Sequence, residues 1–270
     1  MSMVETAPRF QDSKIFGLFD DMRHGNIWLW RTVVAMAIGS VLMLALQFVD
    51  ARLINGVSVW DKPAKFFFSL VVQYGTVSWA FNLLPFTDRK MRGLRIAVGI
   101  MLFSGWMEMA YIIFRAAQGE GSHFNTGTRF AAIAYGVMGV GAVSLTATAA
   151  YVGWNIWRRR DENIWREAAG FGLVMGALLG TITAGYMSSM PSHWVGGNHT
   201  DANGLVFFNW STTGGDLRVA HFLGLHAAQF IPLSAMSGDR RIVYASGLAM
   251  ILLTSAIFIL GVSGVPILIP

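Results

Sequence analysis

The chain of 270 residues contains no cysteine, which excludes disulfides, iron–sulfur clusters and thiolate metal sites. Charge is scarce too. Only 13% of residues are Asp, Glu, Lys or Arg while 54% are apolar, a balance foreign to a soluble core. Residues 1–26 hold no apolar run of the signal-peptide kind, so no cleavable signal is expected. The alternating short segments of a membrane β-barrel are missing. So are a His-Glu-x-x-His motif and any visible repeat or separate soluble domain.

Long apolar runs are abundant instead. A helix crosses the hydrocarbon with about 20 mainly apolar residues. Seven stretches qualify, near 29–49, 64–85, 94–116, 129–153, 166–189, 217–236 and 242–266. The expected fold is an all-α polytopic bundle: a tail over 1–28, then one seven-helix membrane domain over 29–266 with a long loop at 190–216. A segment of the tail, Phe10 to Met22, interleaves Phe and Ile with charge and fits a short helix on the inner surface or an unstructured arm.

Basic residues set the orientation, because cytoplasmic loops collect Lys and Arg. Arg9, Lys14, Arg23 and Arg31 precede or enter the first span. Arg89, Lys90, Arg92 and Arg95 follow the second, Arg158, Arg159, Arg160 and Arg166 the fourth, and Arg240 and Arg241 the sixth. Fourteen of the 20 basic residues thus share one side, which places the N-terminus in the cytoplasm and the C-terminus outside. The net charge of +5 follows from this asymmetry and calls for no nucleic acid; the expected partner is the bilayer.

Polar groups gather on the opposite side. Five of the 6 histidines lie in outer loops or the outer part of the sixth span; only His24 is cytoplasmic. At about 1.5 Å per helical residue, His221 sits roughly 7.5 Å and His226 roughly 15 Å below Asp216. Glu108, on the third span, falls roughly 10 Å deep, between them. Ionisable groups inside a span cost roughly 2.5–3.5 kcal/mol or more, so they mark function by default. Arg218, His221, His226 and Gln229 share an arc of roughly 140°, which should face the bundle interior and meet Glu108.

Three phrases carry a resemblance: Lys62-Pro63-Ala64-Lys65-Phe66, Ser122-His123-Phe124-Asn125, and Gly215-Asp216-Leu217-Arg218 with His221-Phe222-Leu223-Gly224-Leu225-His226. Together they resemble a group of bacterial multi-pass integral membrane proteins without an assigned activity. The resemblance implies a bacterial inner (plasma) membrane and no reaction. The zinc-dependent progestin-receptor and ceramidase-type hydrolases share seven spans and a cytoplasmic N-terminus, but their Ser, Asp and His-x-x-x-His pattern is missing here.

Three functions compete. In the first, a metal-dependent membrane enzyme, Glu108 and His226 are catalytic and His123, His199 and His221 are ligands for Zn or Fe. Lys62, Lys65, Arg218 and Asn125 then hold an anionic or amphiphilic substrate. The second is a redox protein with haem b or a quinone, handicapped because both deep histidines share one helix. The third is a proton-coupled transporter or sensor built on Glu108 with His221 or His226. A pigment-bearing photoreceptor fits poorly, as the seventh span has no lysine for a Schiff base.

Overall fold

The structure is a computed structural model that describes residues 15–159 and 163–267. Arg9, Phe10, Lys14 and Arg160 lie outside the described residues.

Helix starts are written in the sequence by side chains that satisfy the first free backbone N–H groups. Asn26 caps α2 (Ile27–Leu46) by accepting from Trp28 and Leu29 N at 3.0 and 3.2 Å. Thr128 caps α6 (Arg129–Trp157), Asn163 caps α7 (Ile164–Ser189), Asp216 caps α8 (Leu217–Leu233) and Asp239 caps α9 (Arg240–Val262). Between α2 and α6 run α3 (Asp61–Asn82), the short turn α4 (Phe86–Arg89) and α5 (Arg92–Ala117). Asp61 does not cap α3; it is the first helical residue, and its carboxylate takes Lys65 and Asn209 instead.

The protein is all-α and multi-pass: among the described residues six helices are long and apolar enough to cross a membrane, namely α2, α5, α6, α7, α9 and α8 with its 3-10 extension to Ser237. The remaining expected span exists as α3, 22 residues long, but Asp61, Lys62, Lys65 and Gln73 make it less apolar than the others. The last helix ends at Val262, short of the expected 266, because Gly264 turns the chain at φ 75°.

The tail forms α1 (Ile15–Gly25), which tucks against α3. Ser78 Oγ donates to the Met22 carbonyl at 2.5 Å and Asn82 Nδ2 to Asp21 at 2.9 Å. Gly25 lies so close to the Ser78 carbonyl that any side chain there would collide.

Successive helices pack as neighbours, α2 on α3, α5 on α6, α6 on α7, α7 on α8 and α8 on α9, with α3 reaching α5, α6 and α7. The tightest seam is α7 on α8. There Gly172, Gly176 and Gly180 meet the backbone and small side chains around Leu225, Ala227 and Ala228, as expected where small residues let membrane helices approach. The ring is not closed: among the described residues neither α2 nor α3 packs closely on α8 or α9.

The loops at the end of the bundle where α3 and α8 begin, called outer after the expected orientation, form a cap. The hairpin β1 (Leu53–Ile54) to β2 (Val57–Ser58) turns at Asn55 and Gly56, both at positive φ. The long loop closes on itself where β3 (Trp194–Val195) pairs with β4 (Gly215–Asp216), and docks on the hairpin through Asp201 N and Thr200 Oγ1, both donating to Asn55 O at 2.9 Å.

Candidate functional site

Helix geometry places Lys62, Phe66, Ser69, Gln73 and Thr76 along one stripe of α3, since steps of three and four return to the same face. On α8, Arg218, Phe222, His226 and Gln229 make a matching stripe. The stripes are joined at depth by Gln229 Nε2 donating to Thr76 Oγ1 at 2.8 Å. At the outer surface Asn209 bridges them: its Nδ2 donates to Asp61 at 3.0 Å and its carbonyl accepts from Arg218 at 2.7 Å.

Lys62 sits at the centre of the outer end. It lies within electrostatic range of Glu108 on α5 and of Arg218 and Asp201, and its ammonium is 5.6 Å from the Phe66 ring centre. Among the described residues no carboxylate comes within ion-pair distance of it. Glu108 is buried beside Gly141 of α6, and its Oε1 accepts no hydrogen bond. The Tyr111 hydroxyl, one turn further along α5, is also buried without a partner. Lys62, His123 and His221 are enclosed by protein and still keep accessible surface, as side chains lining an internal cleft do.

The histidines surround this cleft without converging. His123 accepts or donates at Nδ1 with Ser122 Oγ at 3.1 Å, and its ring lies against Phe66 and Tyr135. Burial lowers its basicity well below the ordinary value, helped by Lys62, His221 and His193 nearby. His221 points to α7, with Nδ1 3.0 Å from the Gly180 carbonyl and 3.3 Å from Thr183 Oγ1. His226 stacks on Phe222 at 3.9 Å. His199 lies exposed, stacked on Trp194 at 5.6 Å.

Several expectations need correction. Arg218 is held by Asp216 at 2.7 Å and Asp201 at 2.9 Å, so it secures the cap and is not a free anion receptor. Lys65 pairs with Asp61 at 2.7 Å, and the Asn125 amide donates to Gly121 O at 3.0 Å within its own turn. Of the four residues assigned to substrate, only Lys62 keeps its cation for a ligand. The charge that acts on Glu108 is Lys62, rather than His221 or His226. Among the described residues no three His, Asp or Glu side chains are grouped to hold a metal ion, His123, His199 and His221 included.

The structure adds a cluster that the sequence did not single out. His193 Nδ1 faces Asp216 Oδ1 at 3.6 Å, and Arg218 Nε donates to the same oxygen at 2.9 Å. Burial works to raise the Asp216 carboxyl, but His193 and Arg218 outweigh it and hold it below the usual carboxylate range. Burial also lowers His193. The Asp-x-Arg spacing at the helix start was the available signal; the loop partners His193 and Asp201 were not predictable from spacing.

No family model, curated protein or solved structure matches this chain.

Proposed function

We propose that this is a seven-span protein of a bacterial inner membrane, with its N-terminus in the cytoplasm. It binds an anionic substrate at an outward-facing intramembrane site and exchanges a proton in doing so, as a transporter or sensor. The observation that carries the reading is the Lys62–Glu108 arrangement: among the described residues, a cation without a paired carboxylate in electrostatic range of a buried carboxylate with an unpartnered oxygen. A carboxylate enclosed in a bilayer holds its charge only with a cation nearby, and Lys62 is that cation for Glu108. An anion arriving at Lys62 neutralises that influence, so Glu108 takes up a proton as the ligand binds. The cost of keeping such groups within a bilayer supports a functional role over a packing role. The length of α3 and its place between α2 and α5 support counting it as the seventh span.

The metal-dependent enzyme has less support, because its ligand set does not assemble among the described residues. A haem or quinone site has no specific observation in its favour.

The test is calorimetry of detergent-purified protein with butyl phosphate, a water-soluble anion, in two buffers of different ionisation enthalpy. Wild type should bind and take up about one proton per ligand. Lys62→Gln should lose binding, and Glu108→Gln should bind without proton uptake. Binding by Lys62→Gln equal to wild type, or wild-type binding without proton uptake, sinks the reading.

A further inference from the structure

On one side the cleft is bounded by α3 and α8, which among the described residues do not pack closely on each other. On α3, Phe68 and Ser69 are exposed beside the gap between these two helices, and on α8 Phe230 and Leu233 are exposed at and below the level of its floor. Ser69 on the α3 stripe lies between this gap and Lys62, two turns nearer the helix start, while Gln73, His226 and Gln229 lie deeper on the two stripes. From Lys62 to Thr76 the stripe runs about 21 Å, longer than the roughly 15 Å of one hydrocarbon leaflet. The Gln229–Thr76 bond closes its floor.

Over the outer end lies an aromatic finger, residues 203–210. Its tip, Val206 and Phe207, is exposed, and Phe207 packs edge-on against Phe68 at 6.1 Å. Phe208 and Trp210 each rest on Phe222 of α8 at 5.3 Å. Three non-glycine residues of the finger, Asn203, Phe207 and Asn209, sit at positive φ (61°, 71° and 56°), a conformation that needs support from its surroundings. That support comes from the bonds of Asn209 to Asp61 and Arg218.

We infer that the ligand is a lipid-like amphiphile that reaches the site sideways from the outer leaflet, its anionic headgroup passing between α3 and α8 beneath the finger to Lys62. This rests on the anion-binding reading above. The headgroup travels along the polar stripes while the hydrocarbon chain stays in the bilayer beside Phe68 and Phe230. A water-soluble anion uses the outer mouth and has no need of an exposed, polar-lined side opening. The apolar margin complements the chain, and Lys62, unpaired among the described residues at the outer end of the stripe, complements the headgroup.

Because the chain lacks cysteine, Ser69→Cys gives a single thiol at the opening. Folded Ser69→Cys protein is purified in detergent, and half of it is alkylated with a bulky maleimide. Both halves are placed in phosphatidylcholine vesicles containing a phosphatidic acid with a photoreactive group in its chain. Photolabelling should map to peptides holding Phe68 and Phe230 and fall about tenfold on alkylation, while binding of butyl phosphate persists. Loss of both on alkylation, or of neither, overturns the sideways route and leaves the anion site standing. Failure of the unalkylated protein to bind butyl phosphate overturns the anion site itself.

Discussion

Arg218 engages two carboxylates and a carbonyl, and so ties the long outer loop to the start of α8. Removing it leaves Asp216 buried with one cationic partner fewer, and breaking a buried ion pair costs about 3 kcal/mol or more. Arg218→Ala should therefore lower the thermal midpoint strongly, and Arg218→Lys should recover little because an ammonium cannot reproduce the two-pronged contact. An Arg218→Ala protein as stable as wild type would show that the ion-pair network does not hold the cap. His123 and His193 behave differently, because burial keeps both rings neutral. The unfolded chain takes up protons near the ordinary value of 6.5 while the folded loops resist them, so stability is lost as pH falls through that value. Asp216, held low, keeps its contribution until far more acid conditions. Melting temperature should thus decline from about pH 7 to about pH 5, and His193→Gln should flatten the decline. A pH-independent wild-type melting curve over that range would contradict this.

Helices were legible in the sequence because lipid imposes a length and an apolar composition that few other environments demand. The loop at 190–216 was legible for the same reason, as the gap between two spans. What escaped was pairing. The Asn55-Gly56 hairpin carried a recognisable turn signal, but its role as the dock for Asp201 and Thr200 depends on two loops far apart in sequence. The order of His221 and His226 along α8 can be read from the sequence, yet their partners on α7 and on Phe222 follow from rotation and tilt that periodicity leaves free. The α7–α8 seam supports a prediction with opposite signs at two glycines. A methyl group at Gly176 would lie 2.8 Å from the Leu225 carbonyl oxygen and 2.9 Å from Ala228 N, whereas at Gly185 nothing lies within 4 Å. Gly176→Ala should destabilise by about 1–3 kcal/mol despite the better helix propensity of alanine. Gly185→Ala should be neutral or stabilise by a few tenths of a kcal/mol, up to about 1 kcal/mol. Equal effects in thermal unfolding would mean that close helix approach does not limit this seam.

Across the whole molecule, the basic side is tied together by its arginines. Arg89 donates to the carbonyls of Asn82, Leu84 and His24, and Arg166 to that of Leu83, so the arginines also satisfy the free end of α3. Arg159 pairs with Asp88, and Arg240 with the buried Glu167 of α7. The opposite side holds both short β-pairs, His193, Asp216 and the mouth of the Lys62 cleft, and few uncompensated cations. These two faces should lie in the cytoplasm and outside, respectively, because positive loops are retained inside. Thr126, Asn198 and Ser237 are exposed, the first two on the cap and the third at the basic end. Single cysteines at these positions meet no competing thiol. In intact cells a membrane-impermeant maleimide should label Thr126→Cys and Asn198→Cys, and should reach Ser237→Cys only after the membrane is opened. The reverse pattern would put the Lys62 cleft on the cytoplasmic face, and a ligand arriving from the outer leaflet would then be ruled out along with the orientation.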